Sequence, residues 1–324
     1  MNLTDIARAA GVSVSTVSKA FSGSADIGND TRERVFAAAK TLGVFDRYNK
    51  NKFEKHVVAV IIPELVSEYY SRRLTLLTRE IEAAGGIVLT SIADFDKEKE
   101  HELFTYYADY CHVDGIILLQ SMTDHENSGH TPAVAFSERA WKHIDSISCD
   151  LQSAITDAVH HLKTLGHTHI GFASEPLTAS KAELFKRAMR GAGLPIPSHA
   201  VQVSSARFEA AGAEIVRRWL DKNTLPTAIL AAYDYIAIGI IKELTRAGLS
   251  VPGDVSVIGM DDISLNPYLE TSLSSIATES EQACLKAVAL LLKKMDNQYY
   301  RTRERIVIPA TFIPRESTGK VKER

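Results

Sequence analysis

Between residues 57 and 262, short apolar runs alternate with amphipathic stretches of helix length, and this alternation constrains the fold more than any other feature of the chain. "VVAVII", "GIVLTSI", "GIILL" and "PAVAF" form a first series, with helices predicted from about Tyr70 to Ala84 and from Lys97 to Tyr110. The second series begins with a helix from about Ser153 to Leu165, then "HIGFA" and a helix through Phe185. It continues with "VQV", a helix from Phe208 to Asp221, "TAILAA", a helix from Ile236 to Ala247, and "VSVIGMDD". Such alternation predicts an α/β fold with parallel sheets covered by helices on both faces. A chain of 324 residues exceeds one ordinary core, so two such units are expected.

Composition narrows the class. The apolar content of 45% and charged content of 24% are those of a soluble globular protein. No apolar run reaches bilayer length, and residue 1 onward shows no secretory pattern, so a cytoplasmic protein without a membrane partner is expected. Cys111, Cys149 and Cys284 are widely spaced and lack metal-ligand spacing, which reads as reduced thiols. His160, His161, His167 and His169 read as structural or surface residues; His160 and His161 are adjacent on a helix and point apart. Asp261-Asp262 has no converging carboxylates to hold a cation. The chain carries no phosphate-cradling glycine loop, nucleophile elbow or dinucleotide fingerprint, so no catalysis, cofactor or metal is expected.

The N-terminal segment differs from the rest in charge. Residues 1–55 hold nine Lys/Arg against six Asp/Glu, whereas the remainder holds 28 against 34. A small basic module on an acidic body suits a polyanionic partner for that module alone. The segment opens "LTDIARAAGVSVSTVSKAFSG". Thr4 is predicted to cap a first helix, with Asp5 in its first turn and Ile6 and Ala10 on one face. Gly11 breaks that helix, and Ser13 caps a second whose stripe is Val17, Ala20 and Phe21, with Gly23 as its stop. A third helix fits "NDTRERVFAAAKTLG", capped by Asn29 or Asp30, with Val35, Ala38, Ala39 and Leu42 inward. Val14, Ser15, Thr16, Ser18 and Lys19 are left exposed on the second helix. Short polar side chains, a valine and a lysine at a helix N-terminus can meet base edges, a thymine methyl and phosphate. Thr4 and Ser13 at the helix starts, and Ser22 at the end of the second, complete the DNA-facing set.

That opening, followed by "TRERVFAAAKTLG", closely resembles the headpiece of LacI/GalR-family transcription regulators, and the likeness continues more weakly to "IPRES" near the C-terminus. The resemblance implies a helix-turn-helix headpiece over 1–45, a hinge or linker over 46–56, and a periplasmic-binding-protein-like core over 57–324. The core would form two lobes, an N-lobe of about 57–150 plus 278–308 and a C-lobe of about 151–277 plus 309–318. Ligands of open parallel sheets sit beyond the carboxyl ends of the strands, which places a pocket between the lobes.

The candidate pocket residues follow those strand ends. Tyr69 and Tyr70 can stack on the apolar face of a sugar. Gln120 follows "GIILL", and Ser137 follows "PAVAF". The resemblance implies that Asp261 accepts hydrogen bonds from ligand hydroxyls. Lys181 stands where relatives usually have arginine, Tyr233 where they often have asparagine, and Thr278 where some have glutamine. These departures point either to a carboxylated or phosphorylated effector, or to Lys181 as a solvated surface lysine. The hinge departs too. "FDRYNKNKFEKH" lacks the Pro-Asn and Ala-Arg-x-Leu of the family, leaving a flexible basic linker or a helix with Phe53 as a minor-groove wedge. In the second case Arg47, Lys50, Lys52 and Lys55 contact phosphates.

Three functional classes compete. A solute-binding protein explains the core alone, and an α/β enzyme explains only the alternation. A DNA-binding regulator explains headpiece, charge split and core together. The expected partners are double-stranded operator DNA, a small sugar or sugar-derived effector, and a second copy of the chain. A homodimer, formed by the helix from Tyr70 and its counterpart, would bind a palindromic operator as a repressor.

Overall fold

The computed structural model describes residues 2–22, 24, 26–48, 55–125, 131–296 and 302–322. The chain divides into two compact units: residues 1–57 with a short stretch at 85–87, and the remainder.

The first unit carries four helices, α1 (Leu3–Ala10), α2 (Val14–Phe21), α3 (Asn29–Thr41) and the single turn α4 (Phe45–Tyr48). Asn2, not Thr4, caps α1. Its side chain accepts from the backbone N–H of Thr4 and Asp5 at 3.0 and 3.2 Å, and Asp5 accepts from the Asn2 N–H at 2.8 Å. This reciprocal box satisfies donors that a cap at Thr4 would leave open. The turn after α1 is Gly11 at φ +66°, a left-handed position that glycine adopts without steric cost. Ser13 caps α2 by accepting from Thr16 N–H at 3.0 Å. Neither Asn29 nor Asp30 caps α3; Gly28 does, with no side-chain bond, and both residues lie inside the first turn. Ile6, Ala7, Val17, Ala20, Val35 and Ala39 are buried together, and Phe21, Phe36 and Phe45 close one side with ring centroids 5.2–6.1 Å apart.

The second unit is built on two six-stranded sheets. The first contains β1 (Val57–Ile62), β2 (Ile87–Ile92), β3 (Gly115–Leu118), β4 (Ala133–Phe136), β5 (Asp145–Asp150) and β11 (Arg305–Pro309), ordered β11-β5-β4-β3-β1-β2. Helices α5 (Glu68–Ala83), α6 (Lys97–Thr105) and α11 (Ser280–Asp296) belong to this lobe. The expected helix to Tyr110 changes winding at Tyr106, where a π-helical turn runs to Tyr110. The second sheet contains β6 (Ile170–Ser174), β7 (Val201–Val203), β8 (Ala228–Ala231), β9 (Ser256–Met260), β10 (Ser274–Ala277) and β12 (Thr311–Ile313), ordered β12-β10-β9-β8-β6-β7. Its helices are α7 (Leu151–Thr164), α8 (Lys181–Gly191), α9 (Phe208–Asp221) and α10 (Asp234–Arg246). β1, β3, β4, β5 and β11 pair in parallel, as do β7, β6, β8, β9 and β10, whereas β12 is an antiparallel edge against β10.

The chain passes between the sheets three times, from β5 into α7, from β10 into α11 and from β11 into β12. Each lobe has its own apolar core. In the second lobe α9 and α10 touch backbone to backbone at Gly212 and Gly239. A Cβ on Gly239 would meet the Glu209 carbonyl oxygen at 2.1 Å, so only glycine permits this approach. The tight crossing holds Arg207 and Tyr233, which stand at the starts of these two helices, beside each other.

Candidate nucleic-acid interface and interlobe site

In the first unit, Val14, Ser15, Ser18, Lys19 and Ser22 are exposed, as is Thr4 on α1. Positions 14, 15, 18 and 22 recur at helical spacing, forming one exposed stripe along α2 and its C-cap, opposite the buried Val17 and Ala20. Val14 is 42% exposed, an apolar contact held out to solvent on an eight-residue helix. Ser13 and Thr16 are joined hydroxyl to hydroxyl at 2.8 Å, so the Thr16 side chain is committed to the cap. Lys19 Nζ donates to Asp26 at 3.2 Å on the surface. Of the linker residues, Lys50, Lys52 and Phe53 lie outside the described residues, as does the Arg47 side chain.

In the second unit, a cavity of about 400 Å³ opens between the lobes, and Tyr69, Gln120 and Ser137 line it. Arg73, Phe136, Glu138, Arg139, Ser148 and Cys149 join them from the first lobe and its crossing strand, and Ser180 from the second. Tyr70 is buried behind Tyr69, ring against ring at 4.9 Å, with its hydroxyl 3.5 Å from Gln120 Oε1. Thr278 lies in the crossing after β10. Its carbonyl accepts from Cys149 Sγ at 3.1 Å, and its hydroxyl accepts from Arg73 Nη2 at 3.4 Å.

Asp261 follows β9 and is held at φ +95°, a left-handed region costly for a residue with a side chain. Its N–H donates to the Ile276 carbonyl at 2.8 Å, which fixes the turn. Burial pushes the Asp261 carboxyl up, while the Lys181 and Arg73 charges pull it down. Lys181 Nζ donates to the Ala232 carbonyl at 2.7 Å, so it is not a freely solvated lysine. Burial also pushes up Glu138, again opposed first by Lys181. Lys181 is thus electrostatically shared between two cleft carboxylates.

Tyr233 belongs to a different cluster. Its hydroxyl accepts from Phe208 N–H at 3.0 Å, beside Arg207. Arg207 in turn bridges the lobes: Nη1 donates to Glu64 at 3.0 Å, and Nε lies 3.3–3.4 Å from both oxygens of buried Glu175. A second cross-lobe contact joins Glu68, at the start of α5, to Ser264, whose N–H and hydroxyl donate to it at 2.7 and 2.9 Å. The proposed pocket residues therefore fall into a cavity group (Tyr69, Gln120, Ser137), a rear or neighbouring group (Tyr70, Thr278, Asp261, Lys181), and Tyr233, set apart.

Residues 2–44 match the family model described as bacterial regulatory proteins, lacI family, and residues 159–318 match that of the periplasmic binding protein-like domain. Catabolite control protein A of Priestia megaterium is 30% identical over 322 residues, covering 92% of this chain and 94% of that protein. The chain belongs to the LacI family. Its fold is also that of the lac repressor dimer bound to operator and the anti-inducer ONPF, with a TM-score of 0.71, 22% identity and coverage of 98% and 99%. A LacI-family transcriptional regulator from Enterococcus faecium with bound ribose superposes with a TM-score of 0.71 and 24% identity, covering 82% of this chain and 100% of that one. This LacI-family member is a DNA-binding transcriptional regulator and not an enzyme.

Three residues of this LacI-family core escape sequence reasoning. Arg73 reads as an ordinary surface arginine on an amphipathic helix, yet it is 2% exposed. Its signal is spacing: it lies one turn after Tyr69, on the same face of α5. Glu64 follows β1, where ligand-facing residues are sought, but its partner Arg207 is 143 positions away. Glu175 follows β6 in the same manner, and nothing local marks it as buried.

Proposed function

We propose that this LacI-family regulator is a repressor that binds a palindromic operator as a dimer and is controlled by a small sugar-derived effector in the interlobe cleft. The observation that carries this reading is the cavity itself. Tyr69 and Arg73 line it from the first lobe and Ser180 from the second, and the two lobes are joined elsewhere by Arg207–Glu64 and Glu68–Ser264. A ligand there touches both sides of a hinge, and it shifts DNA affinity only as far as it prefers one lobe arrangement. Residues 1–45 serve as headpiece, 46–56 as linker and 57–324 as effector-binding and dimerisation core. The exposed stripe of α2 lies in the major groove, with Ser15, Ser18 and Lys19 toward base edges and Thr4 and Ser13 toward phosphates. One headpiece reads few base pairs, so selectivity calls for two half-sites about one helical turn apart. The protein works in the cytoplasm, where its DNA is; among the described residues no helix is long and apolar enough to cross a membrane.

The test is fluorescence anisotropy of a selected operator duplex, titrated with the full chain alone and with sugars, sugar acids and sugar phosphates. An effector changes operator affinity by about 5–150-fold, the usual range of such couplings. D261A retains operator binding and loses that response. An intact response in D261A removes Asp261 from the site.

A further inference from the structure

Arg73 is the anomaly of the cleft. It rises from α5 into the cavity wall with 2% of its surface exposed, and it forms no ion pair with any described residue. An arginine cannot shed its proton, so burial without a counter-charge is costly unless another group supplies one. Its surroundings fix the guanidinium rather than neutralise it. The Tyr69 ring covers it with the centroid 4.1 Å away, and Phe136 lies 5.0 Å away. Ser280 Oγ accepts from Nε at 3.3 Å and Thr278 Oγ1 from Nη2 at 3.4 Å, both neutral and both long. The Cys149 thiol is a further side-chain neighbour of the guanidinium, neutral and a weak acceptor, and no carboxylate among the described residues hydrogen-bonds it.

The nearby carboxylates do not supply the missing charge. Asp261 lies within electrostatic range of Arg73 but beyond ion-pair distance, and Lys181 is its stronger partner. Glu138 is likewise answered first by Lys181 and then by Arg305. What remains is a planar cation, clamped on its faces and held on one edge, at the wall of a cavity of about 400 Å³. A fork of N–H donors matches the paired oxygens of a carboxylate or phosphate better than any hydroxyl array, because an acid satisfies the donors and cancels the charge together.

We propose that the ligand of this cleft is an organic acid whose carboxylate or phosphate oxygens take the open edge of the Arg73 guanidinium. The proposal rests on the cleft being the effector site. Arg73, rather than Lys181, anchors the acid; Lys181 instead balances Asp261 and Glu138.

The test is thermal melting of the full chain at matched ionic strength in chloride, acetate, orthophosphate, gluconate and glucose 6-phosphate, with neutral glucose as control. At least one acid raises the wild-type melting temperature by several degrees beyond chloride plus glucose. R73M removes that increment, and R73K retains part of it. Gluconate or acetate leading identifies a carboxylate; glucose 6-phosphate or orthophosphate leading identifies a phosphate. R73M also loses the bonds to Ser280 and Thr278, so the quantity compared is the acid increment within each variant and not the ligand-free melting temperature; should R73M fail to fold, R73K carries the comparison. If no acid stabilises wild type beyond chloride, the proposal is overturned. Glucose stabilising wild type and R73M alike also overturns it while leaving the cleft as the ligand site. An acid increment undiminished in R73M places the ligand elsewhere and overturns both the proposal and the cleft reading.

Discussion

Arg207 Nη1 donates to Glu64 Oε2 at 3.0 Å, and this bond runs from the start of α9 in one lobe to the loop after β1 in the other. The same guanidinium holds Glu175, 1% exposed, through Nε. One arginine thus both neutralises a buried carboxylate of its own lobe and reaches across the cleft. Glu68 and Ser264 repeat the link farther along. The geometry describes a lobe arrangement held by contacts that an opening hinge must break.

Removing the cross-lobe partner alone should loosen that arrangement without unfolding either lobe. The Arg207 side chain is 38% exposed, which screens the pair, so E64Q should cost ~1 kcal/mol or less. Small-angle scattering of ligand-free E64Q should show a larger radius of gyration than wild type. An unchanged radius together with unchanged effector affinity would exclude the pair from hinge control.

Replacing Arg207 itself should do more, because Glu175 then stays buried with its charge unopposed. R207A should destabilise the second unit by about 1–3 kcal/mol, reduced from the fully buried case by its exposure. R207A with E175Q should recover much of that loss in a urea melt. Simple additivity of the two losses would contradict the assignment.

Asp234 gives a pH dependence of defined sign. It is fully buried and accepts from Ser275 Oγ at 2.7 Å and from Ile263 N–H and Asn266 Nδ2 at 2.9 Å. Burial, with the Asp261 charge second, outweighs those bonds and pushes its carboxyl up to about 8. The folded state therefore keeps a proton that the unfolded chain releases near pH 4. Stability from this group is full below about pH 4 and is lost as pH rises toward 8, with a slope of at most one proton, ~1.4 kcal/mol per pH unit. D234N, which preserves the shape, should be flatter than wild type between pH 5 and 8 in chemical denaturation. Parallel curves would show Asp234 ionised throughout.

The headpiece offers two independent tests. S13A removes the hydroxyl that accepts from Thr16 N–H at 3.0 Å and should destabilise the first unit by ~1 kcal/mol, read by amide exchange in α2. An exchange pattern equal to wild type would deny the cap its role.

Lys19 is held by Asp26 on the surface at 3.2 Å, an exposed pair of little intrinsic stability. D26N should therefore strengthen DNA binding by freeing Lys19 and removing a negative charge, with sequence preference unchanged. K19A should relax discrimination at one base position, by about 1–3 kcal/mol if the contact is to a base edge. Weakening in K19A that is uniform across sequences would reassign Lys19 to phosphate.

How much of this was legible in the sequence depends on whether the signal was local. The apolar runs of β1, β3, β6 and β8 announce themselves because both faces of a parallel sheet are covered. β5 does not: "DSISCD" reads as a polar loop, yet Asp145 and Ser146 are buried there. Lys294 Nζ, from α11, lies 2.5 Å from Asp145 Oδ2, a charge match separated by half the chain. β10, "SSIA", is hidden for the same reason, with Ser274 and Ser275 buried by bonds to the C-terminal segment and Asp234. Thr4 misleads because a good cap residue two positions later than Asn2 looks equally suitable until the Asp5 partner is counted. In the cleft, Tyr69, Gln120 and Ser137 follow from strand ends, whereas Arg73 and Arg207 depend on what the fold brings beside them.

Sequence-specific recognition by paired headpieces is tested most directly by selecting duplexes from a random library with the full-length protein and sequencing them. The expected result is an enriched inverted repeat whose half-site centres lie about one helical turn apart. Enrichment of a single half-site would contradict recognition by paired headpieces, and enrichment of no motif would contradict sequence-specific binding.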